Sequence, residues 1–207
     1  MNSEGSLIVI SGFSGAGKGT VVKRLLNKYD DYALSISATT RKPRSGEVDG
    51  REYFFKTREE FLQMIEKKQL IEYAEYVNNY YGTPKEYVLS ELAAGKNIIL
   101  EIEIQGALNI KKQFPDALLI FITPPSASEL EKRLYGRGTE DEETIKARLK
   151  RAGEEASYAS QYDYIVVNDN LEDCVDKINK IVECDKYVSK RGTSLIDDIK
   201  NDLKKFY

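Results

Sequence analysis

The residues best suited to chemistry come early: Gly12-Phe13-Ser14-Gly15-Ala16-Gly17-Lys18-Gly19-Thr20. Glycines at this spacing let backbone N–H groups converge on phosphate oxygens. A helix starting at the end of the loop adds the positive end of its dipole, and Lys18 reaches the β- and γ-phosphates as a point charge. An apolar run at 7–10 precedes the loop and an amphipathic pattern at 18–29 follows it. The loop therefore has the strand–loop–helix setting that phosphate binding needs. One position departs from the commonest form. Gly19 stands where a magnesium-binding Ser or Thr usually follows the lysine, and Thr20 comes one residue late. That counts against GTPases and motor ATPases.

A second group lies at 35–53, where hydroxyls surround Arg41 and Arg44. The two arginines flank Pro43, so a turn would bring both forked guanidiniums onto one phosphate. A third pair, Glu101 and Glu103, ends an apolar run two residues apart, on one face of a strand. At the carboxyl edge of a parallel sheet such side chains point into the ligand crevice. The chain has no histidine, which excludes imidazole bases and His-ligated metals. Phosphoryl transfer needs little beyond carboxylates, cations, backbone groups and a metal.

The elements that position these residues follow from periodicity. Runs at 7–10, 98–102, 118–122 and 165–167 read as buried parallel strands. Helical patterns occupy 18–29, 84–94, 127–135, 140–158 and 171–188. Their alternation predicts an α/β fold, a parallel sheet with helices on both faces. Residues 35–83 differ in character: short alternating stretches at 53–55 and 71–77, turn residues, and one helix at 58–68 opened by a Thr57/Glu60 capping box. This segment reads as an antiparallel insert. A charged helical insert spans 126–156, with capping boxes expected at Ser126/Glu129 and Thr139/Glu142. Thr83-Pro84-Lys85-Glu86 forms a further box pattern, with proline at the first helical position. Residues 185–207 read as a helical tail whose Leu195, Ile196, Ile199, Leu203 and Phe206 share one stripe.

With 207 residues and a net charge of −3, the chain is large enough for one sizeable core and lacks a broad basic surface for nucleic acid. No apolar run is long enough to cross a bilayer. Residues 1–6 carry no export signal, and Cys174 and Cys184 have no metal-ligand spacing. These features lead us to expect a cytoplasmic protein with no membrane partner.

Several of these stretches occur in order: the phosphate loop, Ser35-Ile36-Ser37-Ala38-Thr39-Thr40-Arg41-Lys42-Pro43-Arg44-Ser45-Gly46-Glu47, Tyr80-Tyr81-Gly82-Thr83, Gly136-Arg137-Gly138-Thr139-Glu140 and Val167-Asn168-Asp169. Together they resemble guanylate kinase over most of the chain, a domain of 5–184 with core segments 5–34, 84–125 and 157–184. The resemblance implies ATP-dependent phosphorylation of GMP to GDP within purine nucleotide metabolism. It implies a P-loop kinase core, a mixed α/β GMP-binding insert at 35–83, a helical lid at 126–156, and a tail at 185–207 beyond the likeness.

Residue by residue, the loop from Gly12 to Thr20 would bind ATP, with Asn168 bordering the adenine. Ser37, Arg41, Arg44, Tyr53 and Tyr81 match residues that hold the GMP phosphate. Glu72, Thr83 and Glu103 match residues around guanine and ribose, with Glu101 beside them; Glu103 stands where the family often has Asp. Guanine presents N1–H and N2–H₂ side by side, and a fixed carboxylate at 72 accepts both. Thr83 has two readings here, helix cap and base contact. Arg133, Arg137 and Arg148 would close over the transferring phosphoryl with Lys18 and Arg41, Arg148 also reaching the GMP side, whereas Arg151 reads as solvated. Like other nucleoside monophosphate kinases, the chain would use Mg²⁺ held through phosphates and water near Thr20 and Glu101, with no direct protein ligand assigned. The rival readings are a non-catalytic module of the same fold that binds proteins, and a kinase for another nucleoside monophosphate. ATP and GMP are the expected partners, with homo-oligomers also compatible.

Overall fold

The computed structural model describes residues 5–76, 78–136, 141–191 and 193–206. In chain order the first elements are β1 (Leu7–Gly12), α1 (Lys18–Lys28), β2 (Tyr32–Leu34), β3 (Ala38–Thr39) and β4 (Phe54–Phe55). There follow α2 (Arg58–Glu66), β5 (Leu70–Tyr76), β6 (Asn79–Pro84), α3 (Lys85–Ala93), β7 (Asn97–Glu101) and α4 (Ile104–Gln113). The chain continues with β8 (Leu118–Thr123), α5 (Ala127–Tyr135), α6 (Glu142–Ala156), β9 (Tyr164–Val167), α7 (Leu171–Asp185) and α8 (Thr193–Leu203).

The main sheet runs β2-β7-β1-β8-β9, with every pair parallel. Its centre is β1, whose Ile8, Val9 and Ile10 are fully buried, as a strand covered on both faces must be. Side chains alternate across the sheet. Ile8 and Ile10 join Val21, Leu25, Val175 and Ile178 of α1 and α7 on one face. Leu7 and Val9 join Val88, Ile104 and Ile110 of α3 and α4 on the other.

The insert forms a second sheet, β4-β3-β6-β5. The expected antiparallel pairing holds for β3–β6 and β5–β6, but β3 and β4 are parallel, so the sheet is mixed. Helices α5 and α6 build a small core of their own from Leu130, Leu134, Ile145 and Ala152, closed by Phe13 of the phosphate loop.

Several local expectations change. Strand β2 is only three residues long, too short to show a period. Helix α4 escapes notice because Gly106 interrupts its pattern. The Thr57/Glu60 box forms completely. Ser126 accepts from Glu129 N at 3.1 Å, but the Glu129 carboxylate turns to Arg133, so that box is half made. Helix α6 is capped by Asp141, which accepts from Thr144 N at 2.7 Å. Glu142 is thus the first helical residue rather than the third, and Thr139 lies outside the described residues. Helix α7 ends at Asp185, and a separate 3-10 turn at Ser189–Arg191 leads into α8.

Candidate active site

β1 delivers the phosphate loop to the carboxyl edge of the sheet. Gly12 has φ +147 and lies so close to Ile122 O that an added Cβ would collide with it at 2.0 Å. Gly15 and Gly17 have φ +94 and +88, which side chains rarely adopt. Gly17 is the N-cap of α1 and supplies no side-chain cap, so the helix offers its first N–H groups and positive dipole end to an anion. The Lys18 ammonium arches back over the loop, donating to Gly12 O at 2.8 Å and Phe13 O at 3.1 Å. Ser14 Oγ accepts from Arg148 Nη1 of α6 at 2.6 Å.

Asn168 is buried and donates its side-chain amide to Ala16 O at 2.8 Å. It braces the loop from behind. Thr20 is exposed on the first turn of α1.

A cleft forms where the insert meets β7. Ser37, Tyr53, Thr83 and Glu101, brought from four separate segments, line a cleft of about 170 Å³ together with Ser35 and Glu52. Thr83 does not cap α3, whose N-cap Pro84 has no side-chain hydrogen bond. Its hydroxyl instead donates to Glu72 Oε1 at 2.8 Å. Burial pushes the Glu72 carboxyl above the ordinary carboxylate range, and the Thr83 bond partly opposes the shift. Burial raises Glu101 too, with the Lys18 charge opposing.

The Tyr53 and Tyr81 rings meet edge-on with centroids 6.0 Å apart, and the Arg41 guanidinium lies over Tyr53 at 5.3 Å. Arg41 Nη2 donates to Glu47 Oε1 at 2.8 Å. Arg44 is exposed.

Other expected residues stand apart. The Glu103 side chain is 77% exposed and accepts from Arg151 Nη2 at 2.9 Å, so it faces α6 rather than the cleft. Arg151 is 62% exposed, in keeping with a solvated residue, and also donates to Glu155 at 3.0 Å. Arg133 pairs with Glu129 one turn earlier on its own helix, and Arg137 lies outside the described residues. A larger groove of about 750 Å³, between α2 and α3, contains none of these side chains.

A sequence model of guanylate kinase matches residues 4–185 of the chain. The guanylate kinase family therefore includes this chain. It is 51% identical to a guanylate kinase of Caldanaerobacter subterraneus subsp. tengcongensis over 98% of both chains. With one from Lactococcus lactis it shares 50% identity over 97% of this chain and 100% of the other. Among solved structures it resembles guanylate kinase from Anaplasma phagocytophilum, with 33% identity, a TM-score of 0.71, and coverage of 92% and 91% of the two chains.

Three residues beside these side chains carry no assignment from sequence. Ser35 Oγ is buried in the cleft wall with no hydrogen-bond partner among the described residues. Glu52 lines the same cleft and accepts from Val48 N at 2.7 Å. Glu47 accepts from Arg41 Nη2 and from the Arg44 backbone N–H. The usable signal for Glu47 was an acid following two arginines across a Pro/Gly turn, which marks a pairing partner.

Proposed function

We propose the following division of labour for the phosphorylation of GMP by ATP that this guanylate kinase performs. The loop from Gly12 to Thr20, with Lys18 and the N-terminus of α1, holds the ATP phosphates. The segment 35–83 is the acceptor insert: Ser37, Arg41, Arg44, Tyr53 and Tyr81 hold the GMP phosphate, while Glu72 and Thr83 read the guanine. Segment 126–156 is the lid, carrying Arg133, Arg137 and Arg148. Glu103 pairs with Arg151 of the lid and is not assigned to GMP.

One observation carries this reading. Glu101 lines the acceptor cleft and its oxygens also lie 3.7 and 3.8 Å from a Cβ added at Gly19, next to Lys18, so in this reading the donor and acceptor sites share a wall. That proximity suits direct transfer between two bound nucleotides. The GMP phosphate is already an anionic nucleophile, so no base is required. The protein positions the phosphates and stabilises the spreading negative charge with Lys18, Arg41 and Arg148, while lid closure excludes water.

Mg²⁺ fits this donor set. Among the described residues no cluster of three His, Cys, Asp or Glu could hold a metal, and Gly19 places only hydrogen towards Glu101, whose oxygens lie 3.7 and 3.8 Å from an added Cβ. Phosphate oxygens and water would make up the shell, with Glu101 and Thr20 able to order that water. When bound, the ion neutralises charge on the transferring phosphate oxygens. A cytoplasmic location agrees with two free cysteines.

A coupled assay for ADP release with GMP, AMP, CMP and UMP as acceptors tests the reading. We expect GMP to be preferred strongly. No turnover with any acceptor would leave a binding module, and a preference for AMP would overturn the role given to Glu72.

A further inference from the structure

We propose that Glu47 is a positioning residue that fixes the Arg41 guanidinium and the Arg44 backbone beside the site that receives the GMP phosphate; this rests on the assignment of Arg41 and Arg44 to that phosphate. Its two carboxylate oxygens do different jobs. Oε1 accepts from Arg41 Nη2 at 2.8 Å, and Oε2 accepts from the Arg44 backbone N–H at 2.7 Å. The same turn is closed by Glu47 N donating to Arg44 O at 3.1 Å, with Gly46 at φ +88 supplying the left-handed step. One side chain thus ties a guanidinium and the backbone of the second arginine into one unit.

The pair is well covered, with the Arg41 and Glu47 side chains 15% and 17% exposed. Hydrogen bonds from Arg41 and Arg44 hold the Glu47 carboxyl below the ordinary carboxylate range, so it is ionised at neutral pH. The guanidinium is fixed further by Tyr53 and Phe55, at 5.3 and 5.8 Å, and by Nη1 donating to Lys42 O at 2.8 Å. A guanidinium has five N–H donors. Glu47 and Lys42 each engage one, so the fork keeps donors for a phosphate. Arg44, held at its backbone, leaves its own side chain to swing onto the same anion.

Two effects of Glu47 oppose each other, and their signs differ. A carboxylate beside a dianionic phosphate repels it, so charge alone makes Glu47 harmful to GMP binding. Fixing a long side chain before the ligand arrives lowers the ordering cost of binding, so positioning makes Glu47 helpful. The burial and double use of the carboxylate favour the second effect.

The test compares wild type, Glu47→Gln, Glu47→Asp and Arg41→Ala, measuring GMP affinity by calorimetry and KM for both nucleotides. Gln replaces one of the two oxygens by an NH₂ donor, which then faces either the Arg41 guanidinium or the Arg44 N–H donor to donor. We expect Glu47→Gln to weaken GMP binding by about tenfold or more, with KM for ATP and the melting temperature nearly unchanged. Glu47→Asp, which keeps both acceptors on a shorter arm, should fall between Gln and wild type. Unchanged or tighter GMP binding in Glu47→Gln, with binding impaired in Arg41→Ala, would overturn the positioning role alone. Equal loss of GMP binding, ATP KM and melting temperature would also overturn it, reducing Glu47 to a folding contact. If Arg41→Ala itself binds GMP normally, the acceptor assignment fails instead.

Discussion

Glu72 and Glu101 are both carboxylates that burial pushes toward the neutral form, but different neighbours restrain them. Thr83 donates to Glu72, whereas Lys18 supplies charge near Glu101. A raised pKa in the folded chain means that the folded state binds more protons than the unfolded one just above the ordinary carboxylate value of 4.5. Stability is then full below that value and is lost as pH rises through the folded pKa. Glu72→Gln keeps the acceptor for Thr83 and removes the titration. Its melting temperature should therefore gain on wild type from about pH 4 to pH 7, in scans without nucleotide. A constant difference across that range would mean burial does not strain the carboxylate. The same variant presents a donor where guanine also donates, so GMP kcat/KM should fall by at least about tenfold, and AMP far less. Lys18→Ala should lower turnover by roughly 10²-fold or more while the protein stays folded. Near-normal turnover would remove Lys18 from the mechanism.

Helix α6 works as an element because it touches the phosphate loop and the core at once, through Arg148 on Ser14 and Arg151 on Glu103. The second pair is exposed at 62% and 77%, and such pairs contribute at most about 1 kcal/mol. We therefore expect Arg151→Ala to leave the melting temperature nearly unchanged. Arg148→Ala should lower kcat with little change in either KM, the signature of a contact made in the transition state; a raised KM at full kcat would make it a ground-state ligand. This level was only partly legible beforehand. Long buried runs and the glycine loop announced β1, β7, β8 and α1, because burial on both faces and φ > 0 leave strong marks in sequence. Strand β2 and the Gly106-interrupted α4 carried no such marks. Glu72 was named through family likeness, and Thr83 had two readings, helix cap and base contact, because Thr83-x-x-Glu86 also fits a cap. Tertiary placement of β5 beside β6 turns the Thr83 hydroxyl to Glu72 and away from the cap. Arg151 and Glu103, 48 residues apart, meet through folding that no local pattern reveals.

At the scale of the whole molecule, the tail leaves an apolar surface uncovered by its own chain. Leu195, Ile196, Ile199 and Leu203 are 47–60% exposed and Phe206 is 82% exposed. Helix α8 packs chiefly against the 3-10 turns beside it, Ser189–Arg191 and Lys204–Phe206. An apolar stripe of this kind in a water-soluble assembly is ordinarily covered by another surface, and a second copy of the chain supplies an identical one across a two-fold axis. The place to cut is set by Asp185, which is buried and accepts from Arg191 Nη2 at 2.6 Å. Ending the chain at Asp185 would leave that carboxylate buried without its partner, a loss that destabilises for reasons unrelated to α8. A chain ending at Arg191 keeps the pair and removes only the stripe. We expect the full chain to sediment as an oligomer and the shortened one as a monomer, with KM for ATP and GMP nearly unchanged, since no residue assigned to either nucleotide lies beyond Arg191. A full-length protein that sediments as a monomer would refute the association, and loss of nucleotide binding in a folded, shortened chain would place α8 at the active site.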